Sequence, residues 1–195
     1  MIKANKKNGH THMSPDYINP PWRFWVFWTL AFLAFPIGGL LANVIVGPVT
    51  TAIPAAFAGA IAGAVLGMVQ WVVLKAHLPL TIWWVIATSA GMALGLAISV
   101  ALLGSEVTGN VILWRAAITG VVIGVAQWFL LWQTLSSAWI WIVATTVGWV
   151  VGWFITRSAG IDLNRMWPVF GASGAFAYQL LTGGHSIFCY VHHQE

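Results

Sequence analysis

Two glutamines stand out in a chain that carries few polar side chains. Residues 63–75 read GAVLGMVQWVVLK and residues 120–132 read GVVIGVAQWFLLW. Gln70–Trp71 therefore recurs as Gln127–Trp128 inside one pattern, G-x-x-x-G-x-x-Q-W-x-x-L. A side-chain amide offers two donors and one carbonyl acceptor, so in an apolar medium it has to find a partner on another helix or on a ligand. At about 100° per residue Gly63, Gly67, Gln70 and Leu74 fall on one narrow helical stripe. The segments that follow match as well: Trp84, Ala87, Thr88, Gly91 and Gly95 correspond to Trp141, Ala144, Thr145, Gly148 and Gly152. The candidate ligand- or partner-binding set is thus Gln70, Trp71, Thr88, Gln127, Trp128 and Thr145. The plainer reading of the same residues is packing. Small residues let helix backbones approach within lipid, and a polar side chain bonds across the seam. Gln70 lies five residues before Lys75, which puts Trp71 where an interfacial tryptophan anchors.

Other constellations carry little chemistry. There is no H-E-x-x-H motif, no P-loop, and no Ser–His pair at bilayer depth. No spanning segment holds an ionisable group near its midplane, where pumps and intramembrane acid–base enzymes place theirs. The expectation is a protein that is not an enzyme and has no metal site. His185, Cys189, His192 and His193 include metal-ligand types, but H-x3-C-x2-H-H is not a zinc spacing and reads as a tail. His10 and His12 read the same way. Glu106, Arg115, Arg157, Asp162 and Arg165 form a mixed-charge set on one side, read as loop charges or a docking surface for another subunit. Asn43 is a lone polar residue without a later counterpart, expected to pair locally.

The elements that position these residues are transmembrane helices. The 195-residue chain is 59% hydrophobic and 6% charged, against about a quarter charged in soluble domains, so most of its surface has to face lipid. Six segments approach the roughly 20 apolar residues a span needs: 24–46, 52–74, 80–103, 112–132, 138–156 and 167–182. Membrane strands would alternate in and out, and these runs do not. Residues 1–21 form a polar segment without a secretory signal pattern, and 183–195 a C-terminal tail. Lys3, Lys6, Lys7, Arg23 and Lys75 share one side; Arg115, Arg157 and Arg165 share the other. The expected topology therefore has both termini in the cytoplasm. Eight basic residues against four acids are too sparse for a nucleic-acid footprint, and the single Cys189 allows no intramolecular disulfide. Eight of the fourteen tryptophans form an interfacial belt: Trp22, Trp25, Trp71, Trp83, Trp114, Trp132, Trp139 and Trp167. Trp149 and Trp153 lie deeper, suited to lipid, to a neighbouring protein, or to a flat ligand such as a pigment or quinone.

The 57-residue period makes the unit a helical hairpin with copies at 22–78, 79–135 and 136–190, inside a 22–182 transmembrane domain. Stepping back from the later copies brings Phe27, Leu30, Ala31, Ala34 and Gly38 into register in the first helix. The third copy keeps only "GASGAFAYQ" of the glutamine motif. Two helices per copy make these parallel repeats about an axis along the membrane normal. The unit G-x-x-x-G-x-x-Q-W-x-x-L followed by W-x-x-A-T-x-x-G-x-x-x-G resembles uncharacterised multi-pass proteins of cyanobacteria and related filamentous bacteria, over roughly residues 60–155. The resemblance implies a bacterial inner or thylakoid-like membrane and carries over no functional residue. The expected fold is all-α, with six spans in three degenerate hairpins. The expected function is a non-catalytic accessory or scaffold subunit packed on membrane lipid, a larger membrane complex or a pigment. The alternative is a small-molecule transporter or carrier-type subunit with a site between hairpins, near Gln70, Thr88, Gln127 and Thr145.

Overall fold

In the computed structural model the described residues are 21–76, 78–106, 109–135, 137–159, 174–180 and 182. Among them the chain is all-helical, without strands. Helix α1 (Pro21–Leu30) runs through a 3-10 turn (Ala31–Leu33) into α2 (Ala34–Val46). Helices α3 (Ala52–Leu74), α4 (Trp83–Leu103), α5 (Val111–Leu131) and α6 (Trp139–Ser158) follow, and residues 174–180 are helical again. Five of these rods are long and apolar enough to cross a membrane: Trp22–Val46, Ala52–Leu74, Trp83–Leu103, Val111–Leu131 and Trp139–Ser158. Half of the expected sixth span, 167–182, lies outside the described residues, as do residues 1–20 and the histidine-containing tail.

Local chemistry accounts for the ends and for the irregular turn. Helices α2 and α4 stop at Gly47 and Gly104, whose φ of 77° and 79° is left-handed backbone that glycine enters without a Cβ penalty. Helix α4 begins at Trp83 and not at residue 80, because the Leu80 N–H turns back to the Leu78 carbonyl and the Leu80 carbonyl accepts from the Trp71 indole. Pro36 explains the 3-10 turn. It has no N–H for the Phe32 carbonyl, and its ring presses on that carbonyl, so the winding tightens just upstream.

Successive helices pack side by side, and the first rod meets the last elements. The Trp28 and Trp141 rings lie 6.1 Å apart, Phe35 and Trp149 5.5 Å, and Phe32 and Phe176 5.3 Å. The helices therefore circle a shared interior. Glycines set the closest approaches. A Cβ at Gly59 would sit 2.6 Å from the Met92 carbonyl oxygen, and one at Gly152 would sit 2.5 Å from that of Gly174. Both neighbours are backbone, so neither can swing aside. The Ser89 hydroxyl adds a 2.8 Å bond from α4 to the Ala60 carbonyl of α3.

The interior has two layers. Nearer the chain's N-terminal end, Phe24, Trp28, Leu74, Trp84, Leu131 and Trp141 form one apolar cluster. Toward the other end Ala62, Met92, Ala116, Ile123, Trp149 and Tyr178 form the second. Outward-facing Val44, Ile53 and Leu102 are about 70% exposed, at 71%, 71% and 70%, which suits lipid and not water.

Candidate functional site

Four of the six predicted site residues meet inside the helix ring. Gln70, Thr88, Gln127 and Thr145 are all fully buried. They come together because each lies on the inward stripe of its helix, across a seam where Gly67 abuts Thr88 and Gly124 abuts Thr145. Gln127 Nε2 donates to Thr88 Oγ1 at 2.9 Å and, more weakly, to Gln70 Oε1 at 3.4 Å. Trp141 Nε1 donates to Gln127 Oε1 at 2.8 Å, and Trp84 Nε1 to Gln70 Oε1 at 3.4 Å. The Thr88 hydroxyl in turn donates to the Trp84 carbonyl at 2.8 Å. Tyr178 is buried against Gly148 of α6, and among the described residues Gln70 Nε2 and Thr145 Oγ1 have no hydrogen-bond partner.

The two repeated indole–amide bonds have a third analogue. Trp28 Nε1 donates to Thr182 Oγ1 at 3.0 Å, joining residues 154 apart, and Thr182 donates to the Tyr178 carbonyl. The Trp28, Trp84 and Trp141 rings meet edge-to-face at the centre, an arrangement aromatic pairs favour. In this inner triad Trp28, and not Phe27, stands where the 57-residue step points. Deeper in the first rod Gly38 does keep the expected register: a Cβ there would meet Ala62, as one at Gly95 would meet Thr119.

Trp71 and Trp128 are not part of this cluster. Trp71 Nε1 donates to the Leu80 carbonyl at 3.1 Å, and Lys75 Nζ lies 4.4 Å from its ring centroid, a cation–π contact. Trp128 lies against Phe129 and Trp132, with ring centroids at 5.0 and 6.4 Å. The Q-W pair thus divides its work: the amide points inward and the indole lies toward the helix end. Trp22, Trp83, Trp114, Trp132 and Trp139 are exposed, as a belt at the membrane surface requires; Trp167 lies outside the described residues.

Space for a ligand lies elsewhere in the ring. A chamber of about 450 Å³ opens among α2, α3, α4, α5 and α6, toward the end where the α2–α3 and α4–α5 loops meet. That volume falls within the usual range for small-molecule sites. Its walls are apolar, Ala55, Ala58, Ala62, Met92 and Leu96 among them, with Phe35, Trp149 and Trp153 at the inner end. Arg115, Thr119, Asn43 and Ser105 are its polar lining. The Arg115 guanidinium donates to the Gly104 carbonyl, which caps the end of α4. Among the described residues Arg115 Nε, Thr119 Oγ1 and Trp149 Nε1 are buried without a partner. A second, far smaller cavity of about 20 Å³ shares Phe35, Trp149 and Trp153 with the chamber and touches Gln179, whose two amide atoms likewise have no partner among the described residues.

Sequence reasoning gave the chamber's Trp149 and Trp153 to lipid, a neighbouring protein or a flat ligand, and left Arg115 among loop charges or a docking surface. The available signal was position, because Arg115 is the fifth residue of α5 (Val111–Leu131), already inside a span. Thr119 and Gln179 gave no comparable signal. Of the other charged residues, Arg157 donates to Asn110 Oδ1 at 2.7 Å, while Asp162 and Arg165 lie outside the described residues. His10, His12, His185, Cys189, His192 and His193 do as well. Among the described residues no three His, Cys, Asp or Glu side chains gather. No protein-family model matches this chain, and neither does any curated protein or solved structure.

Proposed function

We propose that this chain is a non-catalytic integral membrane protein of carrier type, which holds a small apolar or amphipathic molecule in the chamber between its helices. The observation that carries this reading is the chamber itself: about 450 Å³ of apolar space with buried, unpartnered polar atoms on its wall. Ligand sites combine such walls with a few placed polar groups. The Gln70–Gln127–Thr88 network supports the same division of labour. Its amides bond to each other and to indoles, so they serve as the hub of the fold, and the ligand site moves from there toward the opposite end of the bundle.

The same proposal takes the chain as three hairpins with six spans, both termini cytoplasmic, in a bacterial inner membrane. The three indole donors, from Trp28, Trp84 and Trp141, each bonding to the neighbouring hairpin, support that grouping. The charge bias supports the orientation, which turns the chamber mouth away from the cytoplasm. Native mass spectrometry on protein gently extracted from its own membrane tests the reading. The expected result is a bare chain carrying a stoichiometric small molecule, lost when Ala58→Leu narrows the chamber. A bare chain with nothing bound, whether or not lipid is added back, overturns it.

An accessory or scaffold subunit is the second reading. It is favoured by the aromatic ridge of Trp128, Phe129 and Trp132 on α5, where Phe129 and Trp132 are exposed. A co-purifying protein that Trp132→Ala releases would move the assignment there.

A further inference from the structure

The chamber wall carries a positive charge that no described carboxylate balances, and hydrogen-bonding groups with no partner among the described residues. Arg115 is half-buried at the start of α5, and one arm of its guanidinium is held by the Gly104 carbonyl. Its Nε is buried and unpartnered, and among the described residues no carboxylate pairs with it. Glu106, the one acidic residue described nearby in the chain, stands exposed in the loop. One turn deeper, Thr119 Oγ1 and Trp149 Nε1 are unpartnered as well, with their residues only 1% and 7% exposed. Both residues line the chamber, Thr119 from α5 where its side chain packs over Gly95 of α4, and Trp149 from α6 where its Cβ approaches Gly120 of α5.

Each group restricts what can fill the space. An arginine cannot lose its proton, and an indole N–H only donates. A buried donor left unmade is unfavourable, and a half-buried cation in apolar surroundings more so. What satisfies all three is a molecule with an anionic group at the rim and a further acceptor oxygen one turn in. Arg115 and Thr119 are four residues apart on one face of α5, a rise of about 6 Å. Beyond them the Ala55, Ala58 and Ala62 wall and the Met92 and Leu96 side chains leave only apolar space, fit for a hydrocarbon chain.

We propose that the chamber binds a single-chain anionic amphiphile, with its acid group on Arg115, a second oxygen on Thr119 and Trp149, and its chain along the alanine wall. The inference rests on the chamber being a ligand site and adds the chemical class. A monoacylglycerol phosphate offers both oxygens, phosphate and ester carbonyl. A free fatty acid offers the charge alone, and a monoacylglycerol the ester alone.

The test is a titration of purified protein in neutral phosphatidylcholine nanodiscs with monooleoylglycerol phosphate, oleate and monooleoylglycerol, read by native mass spectrometry. The phosphate is expected to bind about tenfold or more tighter than the neutral ester, the range a charge-assisted hydrogen bond supplies, with oleate between them. Arg115→Gln should bring phosphate and neutral ester to within about threefold, with the neutral ester unmoved, and Arg115→Lys should restore part of the preference. Thr119→Val, nearly isosteric and away from the charge, should weaken both esters and leave oleate alone. Equal binding of all three ligands, or a charge preference that survives Arg115→Gln, overturns the anionic assignment and leaves the chamber as a ligand site. Failure of all three to bind, or binding indifferent to both Arg115→Gln and Ala58→Leu, removes the chamber reading together with it.

Discussion

Gln127 uses both amide atoms at once: its nitrogen reaches Thr88 and Gln70 while its oxygen accepts from Trp141. Replacing it with leucine would leave the Trp141 indole without an acceptor in a dry interior. Isolated interhelical hydrogen bonds in membranes average about 0.6 kcal/mol, but orphaning a buried donor costs about 1–3 kcal/mol. Gln127→Leu is therefore expected to lower stability by about 1–3 kcal/mol, measured by equilibrium unfolding in mixed micelles. Gln179→Leu is the contrasting case. Among the described residues neither Gln179 amide atom has a partner, so leucine should leave stability unchanged or raise it by about 1 kcal/mol. A large loss there would mean that the amide has a partner beyond the protein, such as a bound ligand. At this scale Gln70 and Gln127 were legible because their context repeats. Gln179 stood in a degenerate copy, and nothing in its neighbours distinguished a satisfied amide from an orphan.

Helix seams follow one rule at the level of elements: backbone meets backbone where glycine removes the side chain. Gly152 faces the Gly174 carbonyl, with 2.5 Å available for an added Cβ. Gly152→Ala should thus push the 174–180 helix from α6 and cost about 1–3 kcal/mol. Gly39 has nothing within 4 Å, and Gly39→Ala should instead stabilise α2 by about 0.5–1 kcal/mol through helix propensity. Thermal unfolding in detergent, followed by near-ultraviolet circular dichroism, separates the two. The glycine stripes could be read in advance because their spacing follows the helical period. The chamber could not. Its wall is assembled from residues of five helices, and periodicity says which face turns inward, not whether the inward faces leave a gap. Helix α4 starts three residues beyond the expected 80 because hydropathy counts Leu80 and Ile82 but not the turn that holds the Leu80 backbone to Leu78 and Trp71.

For the whole molecule, the sidedness of the chamber follows from which loops share an end. The α2–α3 and α4–α5 loops stand at the chamber mouth, and the α3–α4 and α5–α6 loops at the other end with the first residues of α1. In a Cys189→Ser background on intact cells, a membrane-impermeant maleimide is expected to label Ser105→Cys and to spare Ala76→Cys. The reverse pattern would turn the chamber mouth toward the cytoplasm. Charge counting could suggest this orientation from the sequence, but it could not see that the first rod closes the circle through Trp28. The reason is the 3-10 turn at Ala31–Leu33. From Trp28 to Gly38 is one residue fewer than from Trp84 to Gly95 or from Trp141 to Gly152. Losing a residue from an ordinary span drops everything beyond it by about 1.5 Å and rotates it by about 100°. Three residues wound at about 2.0 Å each recover that height, so both stretches rise about 16.5 Å. A membrane helix can therefore span the same height with one residue fewer by changing pitch, holding the contacts on either side of the tightened turn. Likeness among such helices is better read from which residues touch than from spacing along the chain alone.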